Sequence, residues 1–138
     1  MTAEGKRKIL VVDDEENAVQ IIKTRLETEP QGYEVLVAKS GEEALKLAEA
    51  KKPDLILLDI MMPGVSGIEV CDMMRHNPAF ERTPIIIISA LDDFKTQQEC
   101  SRMGVTAYIT KPINGKLLSN KVRQILENHE TPPPPPVF

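Results

Sequence analysis

The sequence predicts an α/β protein with a doubly wound, parallel five-stranded sheet, and three observations point to this fold class. Short apolar runs alternate with longer amphipathic stretches five times along the chain. The runs at 9–12, 55–58 and 85–88 are continuously apolar, as strands buried on both faces are. The stretches between the runs carry apolar residues at helical spacing, so helices can cover both faces of the sheet.

The boundaries of the elements follow from residues that start or stop helices. Ser40 and Ser66 each precede a Glu by three residues, which is the pattern of a capping box. Gly104 is typical of a helix end and Asn114 of a helix cap. The strands are therefore expected at 9–12, 33–38, 55–58, 85–88 and 105–110, and the helices at 15–29, from Ser40 to Pro53, 66–76, 92–103 and from Asn114 onward.

Length and composition exclude several classes of protein. The 138 residues suffice for one ordinary domain, and 41% hydrophobic with 28% charged residues is a globular composition. A formal charge of −4 argues against direct nucleic-acid binding, and no apolar run reaches the ~20 residues of a membrane span. Two cysteines and two histidines offer neither a disulfide framework nor a zinc site, so we expect a reducing cytoplasm.

The chain divides into an N-terminal extension at 1–7, a globular domain at 8–129 and a proline-rich tail at 130–138. Five of the eleven prolines lie in the tail, where they favour an extended polyproline II conformation. Such a run is typical of a linker, which slightly favours a piece of a longer protein over a complete single-domain protein. A docking peptide for an aromatic-lined groove is a second interpretation that the sequence leaves open.

Polar side chains follow four of the five predicted strands, where parallel strands meet at one edge of a sheet. They are Asp13 and Asp14 after the first strand, Asp59 after the third, Ser89 after the fourth and Lys111 after the fifth. An Asp after a strand often only caps the next helix, and Asp14 can combine that role with another. Three clustered carboxylates raise one another's pKa unless a cation compensates, and Mg²⁺ suits oxygen ligands of this kind.

A carboxylate, Mg²⁺, a lysine and a hydroxyl form a suitable set for phosphoryl transfer. The carboxylate attacks phosphorus, the metal and the ammonium neutralise the phosphoryl oxygens, and the hydroxyl donates a hydrogen bond. A buried ion pair between Lys111 and the aspartates, with no chemistry, is the structural alternative. We give it less weight, because so costly a polar cluster serves function more often than stability.

Four motifs resemble those of response regulator receiver domains in two-component signalling, including the chemotaxis-regulator type. They are VVDDE at 11–15, LLDIMMPG at 57–64, IISA at 87–90 and YITKP at 108–112. The resemblance covers about residues 7–128. It implies a flavodoxin-like (βα)5 fold with strand order 2-1-3-4-5.

The resemblance also implies a role for each acidic residue of the site. Asp59 matches the aspartate that takes a phosphoryl group from a histidine kinase or a phosphotransfer protein, and Lys111 matches the lysine that pairs with the phosphate. Asp13 and Asp14 match the acidic pair that holds Mg²⁺ together with Asp59, with Asp14 as the direct ligand and Asp13 acting through water. The backbone carbonyl of Met61 would complete the metal site.

A switch is implied as well. Ser89 matches a hydroxyl that moves toward the new phosphoryl group, and Tyr108 an aromatic residue that turns into the vacated space. Spacing alone would make Tyr108 an ordinary half-buried strand residue. The face formed by the fourth helix, fifth strand and fifth helix would change shape and bind an output domain, a target protein or a second copy of the chain. Pro112 matches a proline that often follows a cis peptide bond.

Two other function classes are weaker alternatives. A small aspartate-nucleophile phosphatase commonly carries a D-x-D motif after the first strand, and the DDE run at 13–15 breaks that spacing. A flavin carrier needs a phosphate-binding loop and stacking aromatics, whereas the acidic run at 14–16 repels phosphate and aromatic residues are only 4%. The preferred prediction is a signalling module that takes part in its own phosphotransfer and is not an enzyme with a pool of substrate.

Overall fold

The structure is a computed structural model that describes residues 6–62, 64, 66–90 and 93–130. Five strands alternate with five helices within these ranges. The strands are β1 (Lys8–Val12), β2 (Glu34–Ala38), β3 (Leu55–Leu58), β4 (Ile85–Ser89) and β5 (Ala107–Thr110). The helices are α1 (Glu16–Glu27), α2 (Gly41–Lys51), α3 (Gly67–Arg75), α4 (Phe94–Arg102) and α5 (Gly115–Glu130). None of these helices is long and apolar enough to cross a bilayer.

The strands form one parallel sheet in the order β2-β1-β3-β4-β5, which confirms the predicted fold class and strand order. Alternation along each strand divides the core into two layers. Leu10 and Leu58 pack on one side with residues of α2, α3 and α4, and Ile9 and Leu57 on the other with residues of α1 and α5. Because both faces are covered, β3 and β4 are buried at every residue, which explains their uninterrupted apolar runs.

Helix starts agree with the predicted signals in part. Ser66 and Glu69 form the complete capping box at α3, and Asn114 Oδ1 accepts from Leu117 N at 3.0 Å at the start of α5. Only one of the two hydrogen bonds of the capping box predicted for α2 is present. Ser40 accepts from Glu43 N, but the carboxylate of Glu43 accepts from the backbone of Lys39 and not from that of Ser40.

The first helix shows a second difference. Its N-cap residue is Glu15, which makes no side-chain capping hydrogen bond, so the predicted capping role of Asp14 is wrong. Asp13 Oδ1 instead accepts from Glu15 N at 2.9 Å. The strand predicted from Val105 begins only at Ala107, because the preceding residues still bond to the end of α4 and to the start of β4. The predicted helix start at Asp92 and the tail from 131 onward lie outside the described residues.

The start of α3 packs directly against the backbone that follows β3. Gly67 opens the helix, and its N–H donates to the carbonyl of Ile60 at 3.3 Å. A Cβ atom at this position would overlap the carbonyl oxygen of Asp59 and would lie 2.5 Å from Ile60 Cα. Only glycine fits this approach, so α3 fixes the backbone that carries Asp59.

The other end of α3 is tied to two loops through Arg75. Its Nη1 donates to the carbonyls of Phe80 at 2.9 Å and Thr83 at 2.8 Å, just before β4. Its Nη2 and Nε donate to the carbonyl of Gly104 at 3.0 and 3.2 Å, just after α4. One guanidinium therefore bonds three backbone carbonyls and links the end of α3 to the loop before β4 and to the loop after α4.

Gly67→Ala should lower the free energy of unfolding by about 2–3 kcal/mol, because the added methyl overlaps backbone that cannot move aside cheaply. Urea denaturation measures the change. Gly115→Ala is a matched control, since Gly115 also opens a helix but faces only the flexible Arg25 side chain, with a closest distance of 3.3 Å. The control should change the stability by no more than about 0.5 kcal/mol. Equal effects at the two positions would contradict the packing argument.

Candidate functional site

The predicted polar residues come together at the carboxyl edge of the sheet, where backbone hydrogen bonds between neighbouring strands continue past the strand ends. Asp13 N donates to the carbonyl of Ala38 at 3.1 Å, and Asp59 N donates to that of Val12 at 2.9 Å. Lys111 N donates to the carbonyl of Ser89 at 2.8 Å. Asp13, Asp59 and Lys111 thus each sit one position past a strand while their backbone is still held in register. The sheet, not a flexible loop, positions these side chains.

Three carboxylates form an acidic group at this edge, as the sequence predicts. Asp13, Asp14 and Asp59 each offer an oxygen atom, and these atoms lie within 4.8 Å of one another. Asp13 and Asp59 are buried, whereas Asp14 is exposed. Asp59 Oδ1 accepts from the backbone N–H of Met61 at 3.0 Å, which fixes the orientation of the carboxylate.

Lys111 lies among the carboxylates, and this prediction is confirmed. Its Nζ is 3.0 Å from Asp13 Oδ2, 3.2 Å from Asp59 Oδ2 and 3.3 Å from Glu15 Oε1. The contact with Glu15 is one that sequence reasoning missed. Glu15 directly follows the acidic pair, but its spacing gave no sign that its side chain turns back toward the fifth strand.

Burial and charge act on the two central ionisable groups in opposite directions. Burial raises the pKa of the Asp59 carboxyl, and the charge of Asp13 adds to this effect. The Met61 N–H and the Lys111 ammonium oppose the rise without cancelling it. Burial alone would lower the pKa of Lys111, but its contact with Asp13 and the charges of Asp59 and Asp13 raise it above its ordinary value. Lys111 is therefore firmly charged, and the carboxylates outnumber it.

The residues of the acidic group fit a hard divalent cation. They offer carboxylate oxygens from three side chains, which is the ligand type that Mg²⁺ prefers. Asp13 Oδ2 is buried without a hydrogen bond of acceptable angle, although Lys111 Nζ lies 3.0 Å away. Because the one ammonium is shared with Asp59 and Glu15, this buried anionic oxygen is compensated only in part, which favours a bound cation.

An open cleft of about 810 Å³ gives access to the group. Its lining includes Asp14, Glu15, Asp59 and Lys111. The remaining wall is mostly apolar and comes from α1, the segment after β3, the residue after Ser89 and the segment after β5: Ala18, Ile21, Met61, Ala90, Pro112 and Ile113. A small molecule can therefore approach the Asp59 carboxylate from solvent.

The predicted switch residues lie on one face of the sheet. Ser89 is the last residue of β4 and is fully buried, while Tyr108 is half-buried in β5. Tyr108 pairs in register with Ile87, and both pack in the layer with α2, α3 and α4. Because side chains two positions apart share a face, Ser89 is on the same side as Tyr108. The Lys111–Pro112 peptide bond is cis, as the resemblance implied.

Comparisons with known proteins agree with this geometry. A family model described as the response regulator receiver domain matches residues 9–123. The alkaline phosphatase synthesis transcriptional regulatory protein PhoP of Bacillus subtilis is 41% identical over 128 residues, which are 93% of this chain and 52% of that protein. The chain spans about half the length of the first curated relatives that it matches.

Solved structures show the same similarity. The chemotaxis protein CheY4 of Vibrio cholerae superposes with a TM-score of 0.81 at 30% identity, over 88% of this chain and 99% of that one. The phosphorylated cyanobacterial phytochrome response regulator RcpA superposes with a TM-score of 0.74 at 28% identity, over 91% and 92%. Together with the family model, these matches favour a receiver over the phosphatase and flavin-carrier alternatives.

Asp59→Asn should raise the free energy of unfolding by about 1 kcal/mol in buffer that contains a metal chelator. Burial and Asp13 disfavour the charged carboxylate, so the neutral amide removes an unfavourable charge. Urea denaturation measures the difference. Asp72→Asn is the matched control, because its side chain is 62% exposed on α3 and its charge lies outside the acidic group. A less stable Asp59→Asn variant would contradict the charge balance described above.

Proposed function

The chain belongs to the family of response regulator receiver domains, and on this basis we propose that Asp59 accepts a phosphoryl group from a histidine kinase or a phosphotransfer protein. One observation carries the assignment to Asp59. This carboxylate is the one that both lines the open cleft and contacts Lys111, at 3.2 Å, from within the acidic group. Asp13 is similarly close to Lys111 but is not among the residues that line the cleft.

In the proposed transfer, an oxygen of Asp59 forms a bond to phosphorus while the bond from phosphorus to the donor imidazole nitrogen breaks. The Met61 N–H holds the attacking carboxylate in one orientation. The ammonium of Lys111 neutralises the phosphoryl oxygens as they arrive. The transfer modifies the chain itself, so the module acts in signalling and does not turn over a pool of substrate.

Asp13, Asp14, Asp59 and the backbone carbonyl of Met61 would hold a Mg²⁺ ion. When bound, Mg²⁺ supplies positive charge that stabilises the phosphoryl oxygens. The excess of carboxylates over the single nearby ammonium supports this assignment. The carbonyl of Met61 is included because its backbone is already fixed beside Asp59.

The readout is proposed to be a change in the face formed by α4, β5 and α5. Ser89 would move toward the phosphoryl group and Tyr108 would turn inward. Among the residues of α4, only Cys100 is buried, so this helix is weakly anchored in the core. Phe94 and Leu117 are 77% and 50% exposed on α4 and α5, which suits a face that binds an output domain, a target protein or a second copy of the chain.

The receiver is assigned to 8–129, between an extension at 1–7 and a tail at 130–138. The regular elements run from Lys8 to Glu130, so they agree with the first bound and extend one residue past the second. The cytoplasmic location that the cysteine content suggests stays a prediction.

The phosphoacceptor assignment predicts a specific mass change. The protein incubated with acetyl phosphate and Mg²⁺ should gain the mass of one phosphoryl group, because Asp59 is open to the cleft and paired with Lys111. Intact mass spectrometry measures the product. Asp59→Asn should gain none, and the exposed Asp72→Asn should behave as the wild type does. Phosphorylation that persists in Asp59→Asn would place the acceptor elsewhere.

The proposed switch predicts that phosphorylation changes amide hydrogen exchange in α4, β5 and α5. Ser89→Ala should still be phosphorylated but should lose most of this change, since the methyl group cannot bond the phosphoryl oxygens. Ser101→Ala is the control, because Ser101 is an exposed serine of α4. Hydrogen-exchange mass spectrometry measures the conformational change, and the intact mass of the same sample measures how much of the protein is phosphorylated. If Ser89→Ala shows the full wild-type change, Ser89 is not the switch residue.

A further inference from the structure

Glu15 differs from the other carboxylates that contact Lys111. Its side chain is 59% exposed, against 2% for Asp13 and 6% for Asp59, yet its Oε1 lies 3.3 Å from Lys111 Nζ. It also lines the cleft that leads to Asp59. We propose, on the basis of the function proposed above, that Glu15 is a specificity-determining residue that disfavours small, multiply anionic phosphodonors at Asp59.

The effect follows from the position of one negative charge. Lys111 must direct its ammonium toward the incoming phosphoryl oxygens, and Glu15 competes for that ammonium from the solvent side. A free anionic donor that enters the cleft also meets the Glu15 carboxylate as a like charge. Charges at the mouth of a cleft change the rate of encounter with charged ligands strongly at low ionic strength.

A phosphohistidine on a protein is affected less by this barrier. Such a donor can contact the apolar lining of the cleft at Ile21, Pro112 and Ile113, and these contacts offset the repulsion. A donor the size of acetyl phosphate makes no comparable contacts. Glu15 thereby shifts the preference of Asp59 from free phosphate anhydrides toward macromolecular donors.

The neighbouring acidic residues do not supply the same barrier. The carboxylate of Glu16 is paired with Lys39 Nζ at 2.7 Å and is not among the residues that line the cleft, whereas Glu15 lines the cleft and shares the ammonium of Lys111 with Asp13 and Asp59. Asp14 belongs to the group proposed to hold the metal, where the ion would compensate it. Glu15 makes no capping hydrogen bond with its side chain, and its backbone N–H bonds Asp13 whatever the side chain is. A substitution at this position therefore leaves the start of α1 intact.

Two small phosphodonors of different net charge test whether the effect of Glu15 depends on the charge of the donor. With acetyl phosphate, an Asp59 oxygen bonds to phosphorus, the bond from phosphorus to the acetate oxygen breaks, and acetate leaves with the electron pair. With phosphoramidate, the phosphorus–nitrogen bond breaks and ammonia leaves after taking up a proton. Near neutral pH acetyl phosphate carries two net negative charges and phosphoramidate carries one, so repulsion by Glu15 acts more strongly on acetyl phosphate.

The experiment compares the second-order rate constants of phosphorylation of the wild type and Glu15→Gln, at saturating Mg²⁺ and low ionic strength. Glu15→Gln should react about two- to fivefold faster with acetyl phosphate, the range expected for one exposed charge. The gain should be smaller with phosphoramidate and should shrink as salt is added. Glu15→Ala should shift both rates in the same direction. Calorimetric titration of both proteins with Mg²⁺ verifies that the metal is saturating in each.

Two control variants change the net charge of the chain equally. Glu16→Gln removes a charge already paired with Lys39, and Glu49→Gln removes an exposed charge on α2. Neither should accelerate the reaction more than slightly. An equal gain in either control, an equal gain with both donors, or a gain unaffected by salt would each overturn the assignment of Glu15. Failure of the wild type itself to be phosphorylated would instead overturn the proposed function.

Discussion

The charge balance at the carboxyl edge of the sheet is the constraint on which the rest of the structure depends. One ammonium, that of Lys111, lies within 3.3 Å of carboxylate oxygens from Asp13, Asp59 and Glu15. Without it, two buried carboxylates would face each other in a poorly solvated site, which is unfavourable for both. With it, the site still carries excess negative charge. That excess makes a bound cation favourable, and the proposed phosphorylation of Asp59 would add further negative charge that the cation and Lys111 have to compensate.

The sheet maintains this charge balance because it fixes the backbone positions of the charged residues. Main-chain hydrogen bonds continue the ladder one residue past β1, β3 and β5, so the side chains of Asp13, Asp59 and Lys111 start from positions set by the sheet. The close approach of Gly67 then restrains the backbone after Asp59 from the side of α3. A rigid frame is required because repelling carboxylates on mobile loops would separate.

Much of this arrangement could be predicted from the sequence because it depends on periodicity and on strand ends. Uninterrupted apolar runs reported strands buried on both faces, and parallel strands necessarily place the residues after them at one edge. The contact of Glu15 with Lys111 and the restraint by Gly67 could not be predicted in this way. Both depend on side-chain direction or on interatomic clearance between segments far apart in sequence, which periodicity does not encode. The capping box predicted at Ser40 is incomplete because sequence spacing does not determine which nearby backbone N–H the Glu43 carboxylate accepts from, and here it is that of Lys39.

Helix α3 gives the site a second mechanical connection to the proposed output face, besides Ser89 and Tyr108. Its first residue, Gly67, abuts the backbone of Asp59, and its last, Arg75, holds the carbonyl of Gly104 between α4 and β5. Gly67 is in direct contact with the backbone of Asp59 and Ile60, so we expect a shift of that backbone to displace α3 as a unit. The displacement reaches the end of α4 through charge-assisted hydrogen bonds, which resist stretching more than neutral ones do. Because α4 has only Cys100 in the core, movement there meets less resistance than movement of the buried strands. Helix α3 therefore links the backbone of Asp59 to the loop after α4, a helix with a single buried residue.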